Sequence, residues 1–210
     1  MDKHFRFSAI LLAISFSMLS FTTSISASER KINMNQHWKF YHGCIANAEQ
    51  PSFNDSGWRV LDIPHDWSVE PLPVQREGIT IGPFSRMSIG GPDTGQTVGG
   101  EGWYRKELIL QPGDTDKILS LYFEGAYNQT EVWINGQKAC FNAYGYIPFR
   151  IDINKYCNAP GIPNTIAVKV INEGLNSRWY AGSGIYRHVW LIKTDKVHLD
   201  EWDTFVDASK

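Results

Sequence analysis

Thr130-Glu-Val-Trp-Ile-Asn-Gly-Gln-Lys-Ala-Cys-Phe141 is the stretch whose reading decides the fold. A run rich in β-branched and aromatic residues leads straight into Asn135-Gly136, a pair that accepts the positive φ angles of a type I′ turn. The spacing predicts a β-hairpin whose return strand is Gln137–Phe141. Upstream, Leu119, Leu121 and Phe123 alternate with Ser120, Tyr122 and Glu124, a period of two. Downstream, Ile147, Phe149, Ile151 and Ile153 alternate with Pro148, Arg150, Asp152 and Asn154, which predicts a strand with one apolar face. Pro148 has no N–H for a ladder, so this strand belongs at a sheet edge or begins there. Further strands are predicted at Trp58–Ile63, Trp103–Leu110, Asn164–Ile171 and Tyr186–Ile192. No segment carries a sustained 3.6-residue apolar stripe. The expectation is all-β: an antiparallel β-sandwich of roughly eight to ten strands.

The first residues read differently. Lys3, His4 and Arg6 precede an apolar run from Phe7 to Leu19 of about 13 residues, and small residues follow at Ser24-Ile-Ser-Ala27. That order predicts a secretory signal over 1–27 and an exported protein, periplasmic or extracellular. A membrane anchor, the alternative, needs about 20 apolar residues. No Cys stands at the cleavage position to carry a lipid. The remaining chain, about 180 residues, suffices for one domain with its own core, placed at 28–200, with 201–210 leading toward a further domain. A formal charge of −2 without long runs of one sign argues against nucleic acid, which needs a concentrated basic face. Three cysteines, Cys44, Cys140 and Cys157, cannot all pair within the chain. An exported chain permits a Cys140–Cys157 bridge, while burial as small apolar residues is the favoured reading.

Two constellations bear on function. Asn172-Glu-Gly-Leu-Asn-Ser-Arg-Trp-Tyr-Ala-Gly-Ser-Gly-Ile-Tyr-Arg187 lies between two predicted strands and joins aromatic rings to amide and guanidinium donors. Sugars present apolar C–H faces and many hydroxyls, so that mixture suits them. Composition alone favours a structural corner in which Trp179 and Tyr180 cover the core; both readings stand. Pro64-His-Asp-Trp67 opens a loop to Glu101 that is rich in Gly and Pro. His65 and Asp66 invite an acid–base reading, but no third partner is visible, and a structural role is favoured: Asp66 capping backbone donors, Trp67 packed inside.

Other chemistries find no support. The spacing of His37, His42 and Cys44 matches no zinc pattern, so no metal is expected. There is no Gly-x-Ser-x-Gly elbow for a serine hydrolase, and the glycines of the long loop lack the Lys and helix of a phosphate loop. Retaining glycosidases need two carboxyl groups about 5–5.5 Å apart, and the barrel that holds such a pair requires more βα units than this chain has room for.

Ile63-Pro-His-Asp-Trp67, Gly102-Trp-Tyr-Arg-Lys106, Phe123-Glu-Gly-Ala-Tyr127, Val132-Trp-Ile-Asn-Gly136, Gly145-Tyr-Ile-Pro-Phe149, Asn164-Thr-Ile-Ala-Val168 and Asn176-Ser-Arg-Trp-Tyr-Ala-Gly-Ser-Gly-Ile-Tyr-Arg187 followed by Val189-Trp-Leu191 recur here in order. Across residues 32 to 206 this chain resembles the N-terminal sugar-binding jelly-roll domain of glycoside hydrolase family 2, particularly its β-galactosidase-like members. The resemblance implies a galactose-binding-like sandwich placed before an immunoglobulin-like domain and a catalytic barrel with two Glu residues. It implies a parent enzyme that cleaves O-glycosidic bonds with retention, no cofactor, and no catalytic residue within this chain. By motif match it implies Asn176, Arg178, Trp179 and Tyr180 as pocket-wall residues, with weaker support for Gly99 to Glu101, while Gly182 and Gly184 serve backbone geometry. The implied partners are a β-galactoside-like carbohydrate and the downstream domains. An autonomous lectin-like module and a purely structural or oligomerising domain are the alternatives.

Overall fold

The computed structural model describes residues 30–70, 84, 95–173, 181–199 and 205–208. Among the described residues ten strands form the body: β1 Lys31–Asn33, β2 Trp38–His42, β3 Arg59–Leu61, β4 Gly100–Ile109, β5 Ile118–Phe123, β6 Gln129–Ile134, β7 Gln137–Asn142, β8 Phe149–Asp152, β9 Pro163–Asn172 and β10 Val189–Thr194. They pair in two sheets, one of four strands in the order β1-β10-β5-β8 and one of six in the order β3-β2-β4-β9-β6-β7. Every named strand pair is antiparallel. The fold is an antiparallel β-sandwich, as the period-two patterns required.

The long central pair β4–β9 runs in register from Gly100↔Asn172 to Ile109↔Pro163. Alternation along it assigns the faces. Tyr104 and Leu108 of β4 and Ile166, Val168 and Val170 of β9 turn inward, against Leu119, Leu121 and Phe123 of β5 and Val189 and Leu191 of β10. Each such side chain withdrawn from water contributes about 1.5–3 kcal/mol. The Asn135-Gly136 turn has φ of +52° and +78°, the positive pair anticipated for it. β8 is an edge strand directly after Pro148. The apolar face predicted to begin at Ile147 begins later: Ile147 is 47% exposed, whereas Ile151 and Ile153 are buried.

Three details depart from the sequence reading. β1 and β2 were not anticipated, although Trp38 and Phe40 are buried and alternate with Lys39 and Tyr41. The strand expected at Tyr186–Ile192 starts only at Val189. Cys44 is exposed and not buried; Cys140 and Cys157 are half-buried, and all three thiols are free. Burial pushes both half-buried thiols up, Cys157 to about 11, which keeps them protonated and unreactive.

The outward face of the six-stranded sheet carries Trp103 stacked on Trp133 at 5.3 Å. It also carries the buried Arg105, whose Nε bonds Asp55 at 2.8 Å and whose Nη1 meets the carbonyls of Ala48 and Gln50. A segment without strand structure, 44–58, is thereby tied across this face.

Candidate functional site

At one end of the sandwich three irregular segments meet. The first is the start of the long loop. The side chain of Asp66 accepts from Ser68 N at 2.9 Å and caps the short 3-10 turn Trp67–Val69. Trp67 is 2% exposed. Its indole N–H donates to Gly99 O at 3.0 Å, and its ring lies where a Cβ at Gly102 would come within 2.5 Å. The structural roles expected for Asp66 and Trp67 are therefore present.

The second segment, 181–188, bonds to the first and to the third. His65 N donates to Ile185 O at 2.8 Å and Trp67 N to Ser183 O at 2.9 Å. Ser183 N donates to Asp66 Oδ1 at 2.8 Å. Tyr127 and Gly184 exchange two backbone bonds of 2.9 Å each, which attaches the third segment, 124–128. Gly184 has φ +134°, a region open to glycine, and a Cβ there would fall 2.5 Å from both His65 O and Tyr104 Oη.

His65 locks the first segment onto β4. Glu70 Oε1 lies 2.9 Å from Nε2 and a carboxylate only accepts, so Nε2 carries the proton; Tyr104 O–H then donates to Nδ1 at 2.7 Å. Burial lowers the His65 pKa and outweighs the opposing pull of Glu70. Burial would raise Glu70, but its bonds to Arg59 and His65 together hold it low. Burial drives the Tyr104 hydroxyl well above its ordinary range. A neutral, fully engaged histidine of this kind positions backbone and is spent for acid–base chemistry.

Between these segments opens a cleft of about 190 Å³ lined by Asp66, Tyr127, Tyr146, Ala181, Gly182 and Tyr186. Its walls fit closely because glycines face them. A Cβ at Gly182 would sit 2.4 Å from Asp66 Oδ2, one at Gly125 2.7 Å from the Tyr186 ring, and one at Gly145 2.3 Å from the Tyr127 ring. Tyr186 O–H donates to Gly145 O at 2.8 Å. The cleft offers one carboxyl group and three aromatic side chains, the pairing that suits a polyhydroxylated ring with apolar C–H faces.

A larger cleft, about 460 Å³, lies outside the six-stranded sheet beside Lys39, Asp55 and Arg105. There Asp55 is shared by Lys39 at 2.5 Å and Arg105 at 2.8 Å, so these charges serve to anchor the 44–58 segment. Among the described residues no group of three or more His, Cys, Asp or Glu side chains is placed to hold a metal ion.

The four pocket-wall residues named from the sequence, Asn176, Arg178, Trp179 and Tyr180, lie outside the described residues. Gly99 and Glu101 do not line it: Gly99 O accepts from Trp67, and Glu101 Oε1 accepts from Trp103 Nε1 at 2.6 Å. Sequence reasoning missed Tyr127, Tyr146 and Tyr186 as a group. The available signal was the glycine one or two residues before each, at 125, 145 and 184.

The model of the glycosyl hydrolases family 2 sugar binding domain matches residues 59–195. The chain belongs to that family. A β-galactosidase from Bacteroides ovatus, BoGH2A, is 41% identical over 189 residues, 90% of this chain and 21% of its own length. A β-glucuronidase from Formosa agariphila is 30% identical over 85% of this chain and 18% of its own. Among solved structures, a family 2 glycosyl hydrolase from Bacteroides cellulosilyticus superposes with a TM-score of 0.77 at 41% identity, covering 85% of this chain and 22% of that one. The family 2 domain thus spans about a fifth of the length of these relatives.

Proposed function

We propose that this family 2 domain is the exported, non-catalytic sugar-binding portion of a longer β-galactosidase-like enzyme, and that the Asp66 cleft is one wall of its sugar pocket. The observation that carries the reading is the convergence of Asp66 with Tyr127, Tyr146 and Tyr186 in one cleft. Asp66 accepts hydroxyl hydrogen bonds and the tyrosine rings cover C–H faces. Bond cleavage with retention needs two carboxyl groups about 5–5.5 Å apart, and that pair belongs to a catalytic domain beyond this chain. The opposite wall comes from that domain too.

The test uses the 210-residue chain. It is expected to leave nitrophenyl β-galactoside intact, and measurable turnover would refute the non-catalytic assignment. Galactose titrated to tens of millimolar is expected to shift the NMR signals of the cleft, and Asp66→Asn to abolish those shifts. Absence of any shift in the unaltered chain removes the pocket reading. Export rests on the basic, apolar and small segments of 1–27. In a Gram-negative host the secreted product is expected to have a mass beginning after residue 27; an unprocessed cytoplasmic product overturns it.

A further inference from the structure

Beside the cleft, Ala143-Tyr-Gly-Tyr-Ile147 holds two tyrosine rings in water, Tyr144 at 57% exposure and Tyr146 at 60%. Exposed apolar area is unfavourable, and a loose loop would fold such rings away. This loop is held. Asn142 Nδ2 donates to Tyr144 O at 2.9 Å, Tyr186 O–H donates to Gly145 O, and Gly145 is pressed onto the Tyr127 ring. The three rings form a continuous series. Tyr127, 7% exposed, lies 5.1 Å from Tyr146, which lies 5.6 Å from Tyr144. The series starts in the cleft with Tyr127 and Tyr146 and ends on the surface with Tyr144, which does not line it.

Resting on the cleft reading above, we propose that Tyr144 and Tyr146 form a second sugar position that takes the pyranose adjoining the one beside Asp66. The ligand class is therefore a soluble β-linked oligosaccharide and not a single sugar. Orientation narrows the class further. The rings are tilted by 57° and 67° to one another, so they make a turning ledge and not one plane. A turning ledge meets successive rings of a twisted soluble chain, whereas a flat crystalline polymer would touch one ring at most.

The probes are galactose and β-1,4-galactotetraose, titrated by NMR into the 210-residue chain, its Tyr144→Ala variant and its Asp66→Asn variant. The tetrasaccharide is expected to bind more tightly than galactose. Tyr144→Ala is expected to weaken the tetrasaccharide roughly 3- to 10-fold, the size of one aromatic contact, and to leave galactose unchanged. Tyr144 is exposed, so the variant folds. A tetrasaccharide that binds no more tightly than galactose, or a Tyr144→Ala change that affects neither sugar or both equally, overturns the second position while the cleft stands. If galactose binds and Asp66→Asn has no effect on it, the cleft reading fails and the ledge fails with it.

Discussion

Single atoms decide the shape of the cleft. Asp66 Oδ1 already accepts from Ser68 and Ser183, and Oδ2 occupies the space a Cβ at residue 182 would need, 2.4 Å away. The loss in Gly182→Ala is therefore local to Asp66. We expect this variant to lose sugar-induced shifts in the cleft while its unfolding free energy in urea falls by less than about 1.5 kcal/mol, since Gly182 is half-buried and its φ is unexceptional. Gly184→Ala is a different case. Its φ of +134° and two contacts at 2.5 Å involve the backbone at His65 and the buried Tyr104, so we expect a loss of about 2 kcal/mol or more, read in the same denaturation experiment. Equal destabilisation by the two substitutions would contradict this assignment.

At the scale of elements, the 63–70 segment is held to β4 by side chains with shifted titration, and pH reads that attachment. The pKa of folded His65 lies below the free value near 6.5 because burial disfavours its charge. The unfolded chain therefore takes up the proton first as pH falls, and stability present above pH 6.5 is lost as pH drops toward the lower folded value. Glu70, Asp55 and Glu131 behave as depressed carboxylates. Burial opposes the depression, but their Lys, Arg and His partners outweigh it. Their contribution is present above about pH 4 and is lost below it. Thermal melts from pH 8 to pH 3 are expected to show a first decline starting near pH 6.5 and a steeper one in the carboxylate range. His65→Gln is expected to flatten the first decline only; a profile unchanged by that substitution would assign it to another histidine.

For the whole molecule, the two sheets enclose one main core, and the Asp66 cleft lies outside it, where irregular segments join at one end. A cleft of about 190 Å³ is below the 300–1,000 Å³ of complete small-molecule pockets. On the proposal that it is one wall of a sugar pocket, binding must overcome the loss of ligand freedom using part of the contacts. This is why the affinity of the separate chain for galactose is expected in the millimolar range. Apolar side chains at Val197, Leu199, Phe205 and Val206 are 79–93% exposed, beyond the last strand of the sandwich.

Local patterns in the chain determined the sandwich itself. Leu119-Ser-Leu-Tyr-Phe123 and Asn164–Ile171 alternate because a strand turns successive side chains to opposite faces, and Asn135-Gly136 made its turn because both residues tolerate positive φ. Those rules act within a few residues, so they can be read from neighbours. The cleft could not be read this way. Asp66, Tyr127, Tyr146, Gly182 and Tyr186 are distant in sequence and are brought together by bonds such as Ser183 N to Asp66 and the Tyr127–Gly184 pair. Only the tertiary structure decided that site, because its walls are contacts between segments whose own sequences prefer no particular partner.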